Sequence, residues 1–162
     1  MEHFKVSLDF EVYQTVDELN ADDRELLNYA AQAAENAYAP YSLFKVGAAV
    51  RLKSGKIVTG NNQENVAYPS GLCAERVALF YASANYPGEG VDAIAVTAKA
   101  INFSIDEPVT PCGSCRQVMI EAENQNEHKI RVIMQGGQGK IWISKSVENL
   151  LPIAFKADEL KK

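Results

Sequence analysis

Apolar and polar residues alternate strictly from Phe4 to Val12, with Phe4, Val6, Leu8, Phe10 and Val12 on one side. That is the period of a half-buried strand. The pattern changes at Asn20-Ala21-Asp22-Asp23, which offers a capping side chain and first-turn acids, so a helix is predicted to about Tyr38. Leu26, Leu27, Ala30, Ala34 and Ala37 share one face of it, narrow enough to pack closely on a sheet, and Ala39-Pro40 ends it. Residues 46–52 and 57–60 read as two strands joined by the turn Lys53-Ser54-Gly55-Lys56. A second helix begins at Cys73 after Pro69-Ser70-Gly71 and stops at Tyr86-Pro87-Gly88. It is apolar on most faces, which predicts that it is largely buried. A short apolar strand follows at 93–98. Residues 108–111 lead into a third helix reaching about Asn124, with Pro111 near its first turn. Strands at 130–134 and 140–143 flank the turn Gly136-Gly137-Gln138-Gly139, and residues 146–151 are predicted to start a short final helix.

Helix and strand alternating through the middle imply a layered α/β domain, in which ligands sit where strand ends meet helix N-termini. The 162 residues suit one domain, 1–162, with residues 1–20 as an N-terminal strand extension, and no repeat or linker interrupts them. No apolar run approaches the roughly 18 residues of a membrane span. The N-terminus also lacks the basic-then-apolar order of a secretory signal. A net charge of −5, from 16 basic and 21 acidic residues without a basic block, argues against a nucleic-acid partner.

All three cysteines lie in two short motifs, Cys73-Ala74-Glu75-Arg76 and Pro111-Cys112-Gly113-Ser114-Cys115-Arg116-Gln117. Such use does not resemble a disulfide framework and fits a reducing cytoplasm. Both motifs open predicted helices. Three protein ligands with a fourth position left for water is the pattern of a catalytic zinc site. Taken alone, Cys112-x-x-Cys115 is equally compatible with a redox pair or half of a structural zinc site. Glu75 alone is compatible with an ordinary first-turn acid. Neither His3 nor His128 has ligand-like spacing to a cysteine. Together the residues favour an open zinc site with Glu75 handling the protons of bound water. Three thiolates and Zn²⁺ sum to −1, so donors near the sulfurs are expected. Arg76, and Arg116 or Gln117, are the candidates for that outer shell.

These motifs resemble the zinc signature of the cytidine deaminases, in particular the small homotetrameric three-cysteine type. Two more segments are similar to that family: Tyr38-Ala-Pro-Tyr-Ser-Leu-Phe44-Lys-Val-Gly-Ala and Gly60-Asn61-Asn62-Gln63-Glu64-Asn65. The resemblance implies a three-layer α/β/α fold with a mixed central sheet of about five strands, to which the N-terminal strand would be an addition. It implies one Zn²⁺ per subunit on Cys73, Cys112 and Cys115, and hydrolytic deamination of cytidine and deoxycytidine to uridine and deoxyuridine plus ammonia, a pyrimidine-salvage reaction. The zinc would lower the pKa of its water towards about 7, with attack at C4 of the base and Glu75 shuttling protons. It implies further that Asn62 and Glu64 bind the ribose, that Phe44 packs on the pyrimidine, and that the Cys73 carbonyl or the Ala74 backbone orients the exocyclic amine. Phe155 would reach the base in a neighbouring subunit, Arg76 and Gln117 would support the thiolates, and active sites would lie near subunit interfaces of a cytoplasmic homotetramer.

Overall fold

The computed structural model describes residues 1–126 and 128–156. In chain order the elements are β1 (Glu11–Tyr13), α1 (Ala21–Glu35), β2 (Phe44–Leu52), β3 (Ile57–Asn61), α2 (Ala74–Asn85), β4 (Val91–Ala100), α3 (Gly113–Gln125), β5 (Arg131–Gln135) and β6 (Ile141–Ser144). They build a six-stranded sheet in the order β1-β6-β5-β4-β2-β3. Only β4 and β5 run parallel. A parallel pair needs a crossover, and α3 provides it.

Two apolar layers follow from the period of the central strands. Ala93 and Ala95 of β4 face Leu26, Leu27 and Ala30 of α1. Ile94 and Val96 face the other way, into a core shared with Ala78 and Leu79 of α2 and Met119 and Ile120 of α3. The sheet is therefore covered on both sides, which gives the expected three layers and explains why β4 is a nearly continuous apolar run. α2 lies unusually close to β3. A Cβ on Gly60 would stand 2.5 Å from the Ala78 nitrogen and 2.6 Å from the Ala74 carbonyl oxygen. This contact fixes the start of α2 over the sheet.

α1 opens as the sequence implies: the Asn20 side chain accepts the Asp23 N–H at 2.8 Å. Buried Asp23 then holds Arg131 of β5 through both carboxylate oxygens, at 2.8 and 2.6 Å. The helix ends at Glu35 instead of Tyr38, because Tyr38 exchanges backbone hydrogen bonds with Asn62 and Glu64.

Three other expectations are corrected. The N-terminal strand pairs only over Glu11–Tyr13, since its neighbour β6 is four residues long and ends its ladder at Ile143 opposite Glu11. α2 is buried on one face and leaves Phe80 and Tyr81 about half exposed on the other. Residues 146–151 form a turn and not a helix. The buried Glu123 carboxylate of α3 accepts the N–H groups of Val147 and Glu148, doing the work of a preceding helical turn. No helix among the described residues is long and apolar enough to cross a membrane.

Candidate metal centre and active-site pocket

Cys73 and Cys112 are the residues that immediately precede α2 and α3, both in extended conformation, and neither thiol caps its own helix. Their side chains are thus free to turn towards each other, and Cys115 joins them from the first turn of α3. The three sulfurs lie within 4.8 Å of one another, with Cys112 and Cys115 3.5 Å apart. That is too long for a disulfide bond of about 2.05 Å. It suits a tetrahedral zinc, whose bonds of about 2.3 Å place neighbouring sulfurs roughly 3.8 Å apart. Two helix N-termini converge on the cluster and favour the thiolate forms. The Cys73 thiol is held down to about 5, first by a hydrogen bond from Cys115 and then by Arg76. Cys115, which donates its S–H to the Cys73 sulfur and is buried, is pushed up. Donor type, spacing and charge all fit a zinc ion.

Glu75 sits on the first turn of α2 and is only 4% exposed. Burial chiefly pushes its carboxyl up, and the Cys73 charge adds to this. Arg76 approaches the Cys73 sulfur at 3.7 Å and the Gly71 carbonyl at 3.5 Å. Its Nε is buried and has no hydrogen-bond partner among the described residues. Arg76 thus lies beside the Cys73 sulfur. Gln117 does not: its amide donates to the Phe155 carbonyl at 3.0 Å and accepts the Phe155 N–H at 3.2 Å. One helical turn carries Gln117 past the thiols towards the chain's C-terminal segment. Arg116 binds the carbonyls of Pro111 and Leu150, at 2.7 and 3.0 Å, and ties the start of α3 to the same segment.

Above the thiols opens a cavity of about 760 Å³ whose walls include Cys73, Cys112, Glu75, Arg76, Phe44, Asn62 and Glu64. Glu64 accepts the N–H groups of Tyr41 and Ser42 through one oxygen, at 2.9 and 3.3 Å. Hydrogen bonds from Ser42 and Tyr41 hold its carboxyl below the usual carboxylate range. The turn that delivers those N–H groups places Leu43 at φ 55°, a left-handed conformation that costs an L residue about 1–2 kcal/mol. Asn62 bridges to β2, accepting the Val46 N–H at 2.7 Å and donating to the Phe44 carbonyl at 3.0 Å. Its amide thereby fixes the strand that carries Phe44, whose ring stacks on Phe103 with centroids 6.2 Å apart.

Two expected residues lie off this wall. Ala74 is fully buried beneath Gly60, and Phe155 is 74% exposed at the end of the Gln117 contact. Tyr41, Ser42, Tyr68 and Thr110 also line the cavity without having been singled out as site residues. Tyr41 and Ser42 belong to the same Tyr-rich segment as Phe44, whereas a surface tyrosine or threonine elsewhere carries no such signal.

A covered mixed sheet, with a three-thiol site at two helix starts and a buried carboxylate beside it, defines a zinc-dependent α/β domain. The family model described as the cytidine and deoxycytidylate deaminase zinc-binding region matches residues 20–128. A cytidine deaminase of Halalkalibacterium halodurans is 42% identical over 139 residues, 86% of this chain and 98% of that protein. One from Mycobacterium tuberculosis is 36% identical over 146 residues, 88% of this chain and 96% of the relative. The crystal structure of the Burkholderia pseudomallei cytidine deaminase superposes with a TM-score of 0.70 at 44% identity, covering 81% of this chain and 97% of that one. This chain belongs to the cytidine and deoxycytidylate deaminase family, and its cofactor is one Zn²⁺ per subunit.

Proposed function

We propose that this protein catalyses the hydrolytic deamination of cytidine and deoxycytidine, releasing ammonia and the corresponding uridine. The observation that carries this reading is the cluster of three mutually close thiols, two of which, Cys73 and Cys112, line with buried Glu75 the same cavity as Phe44 and Glu64. Zinc held by Cys73, Cys112 and Cys115 supplies a polarised water, acidic enough to react near neutral pH.

The remaining work falls to the chain's own side chains. Glu75 takes the proton that the attacking water loses at C4 and delivers it to N3 of the ring. It then takes the remaining proton from the C4 hydroxyl and gives it to the amine, so that ammonia leaves as the C4 carbonyl forms. Its burial keeps bulk water from competing for that proton. Arg76 donates to the Cys73 thiolate, draws charge from it and keeps it in place. Phe44 packs on the pyrimidine, and Glu64 accepts a ribose hydroxyl on the oxygen not occupied by Tyr41 and Ser42. Asn62 adds to the sugar contact while holding β2. Among the described lining residues the cation is Arg76, already engaged with Cys73 and Gly71, so this lining suits a free nucleoside better than a phosphorylated one.

This reading includes a homotetramer in which Phe155 reaches the site of a neighbouring subunit; the exposure of its side chain, with its backbone held by Gln117, supports that role. The test is Glu75→Gln measured for zinc content and for ammonia release from cytidine and deoxycytidine. The variant is expected to keep stoichiometric zinc and lose about three or more powers of ten in turnover, as the removal of a general acid–base group does. Near-normal turnover of the zinc-loaded variant refutes the role of Glu75. Absence of turnover by the wild-type protein on both nucleosides refutes the function.

A further inference from the structure

Residues 3–8 carry an alternation that the single chain does not use. Phe4 is 85% exposed and Leu8 53%, and among the described residues no backbone group of residues 3–8 is seen in a hydrogen bond. The arm leads into β1, an outermost strand of the sheet, whose outer side has no neighbouring strand among the described residues. Asp9 fixes which groups face that open side. Its N–H and C=O both go to the Asn149 side chain, at 3.0 and 2.7 Å, on the β6 side. Backbone groups alternate along a strand, so those of Leu8 and Phe10 point to the open edge, and a continued strand adds those of Phe4 and Val6. Phe10 packs on Trp142 with ring centroids 5.5 Å apart. Even-numbered side chains thus continue an apolar face, while His3, Lys5, Ser7, Asp9 and Glu11 form a polar one.

We propose that this arm pairs antiparallel with the same arm of a second copy of the chain, about a two-fold axis at Ser7. In that register Val6 stands opposite Leu8 of the second copy, Phe4 opposite Phe10, Lys5 opposite Asp9 and His3 opposite Glu11. Both faces match: apolar meets apolar, and the ammonium meets a carboxylate, each pair occurring twice by symmetry. An axis at Val6 instead pairs Phe4 with Leu8 and His3 with Asp9 but sets Lys5 against Ser7 and Glu2 against Phe10. An axis at Leu8 pairs Val6 with Phe10 and Lys5 with Glu11, whose carboxylate Lys145 already engages, but sets Ser7 against Asp9 and His3 against Tyr13. Glu11 already has Lys145 at 3.0 Å, so the charge selection rests on Lys5 and Asp9. The pairing covers an otherwise open sheet edge with a partner of defined register.

Odd-numbered residues form the non-hydrogen-bonded pairs of this ladder, where facing Cα atoms are about 4.5 Å apart, within the disulfide range. Ser7→Cys therefore meets itself across the axis, whereas Lys5→Cys does not. The full zinc-loaded chain carrying either substitution is oxidised and followed on non-reducing gels. Ser7→Cys is expected to form a covalent dimer roughly tenfold faster or more than Lys5→Cys, because pairing raises the local thiol concentration. Adding Lys5→Glu to Ser7→Cys should abolish that lead, and further adding Asp9→Lys should restore it. Equal rates for the two cysteine variants, or a lead indifferent to these charge changes, overturn the proposal.

Discussion

Glu64 shows how much a single side chain in this protein is asked to do. One of its oxygens gathers the N–H groups of Tyr41 and Ser42, and so holds the turn that leads to Phe44. Those same bonds lower its pKa below the ordinary glutamate value. A carboxyl whose folded pKa is depressed contributes stability that is fully present above its unfolded pKa, about 4.3. That stability is lost as the pH falls through the lower, folded value. Glu64→Gln keeps the shape and removes the charge, so its stability deficit in urea titrations should be constant from pH 7 to about 5 and close below about 4. A deficit that widens with acid would show that the charge does not hold this turn. Arg76 and Gln117 make a contrasting pair at the same scale. Both follow a cysteine closely in sequence, yet only Arg76 reaches a sulfur, because Gln117 is turned by its helix towards Phe155.

At the scale of elements, the site depends on where α2 and α3 begin. Cys73 and Cys112 each occupy the residue before a helix, so a shift of either helix moves a thiol. Gly60 governs α2: an added Cβ would press on the backbone at Ala74 and Ala78, and neither can yield without moving the helix. Gly60→Ala should cost about 1–3 kcal/mol in stability, the usual penalty of overpacking. It should also lower zinc occupancy, measured by elemental analysis of purified protein. A variant that is destabilised but fully loaded with zinc would show that α2 does not transmit the strain to Cys73. The elements themselves were legible wherever a periodic pattern coincided with a local signal, as at the Asn20 cap, the 53–56 turn and both cysteine motifs. The failures have tertiary causes. The turn at 146–151 is made by a carboxylate from α3, and the arm at 3–10 has a strand's alternation but too little of β6 to pair with. Burial of α2 was overestimated because apolar composition does not distinguish a face packed on the sheet from one left bare.

For the whole molecule, the zinc site joins the starts of two helices that share the apolar core beneath them. α2 and α3 both rest on the sheet core, yet Cys73 comes from one and Cys112 and Cys115 from the other. Zinc therefore acts as a cross-link between separate parts of the chain as well as the reaction's cofactor. Binding to the folded state alone stabilises it by about 4 kcal/mol when free zinc exceeds Kd a thousandfold. In a domain of this size that raises Tm by on the order of 10 °C. The loss on metal removal should also be uneven. The central strands β4 and β5 bury Ile94, Val96, Val132 and Ile133 completely and do not touch the ion. Hydrogen exchange of zinc-free protein, kept reduced so that no disulfide replaces the metal, should thus show protection lost first at 71–76 and 111–117 while the strands stay protected. Restoring zinc should recover both protection and Tm. If instead the whole sheet loosens together, or the two helix starts keep their protection without metal, then the thiols are held by the fold alone and zinc contributes chemistry without architecture.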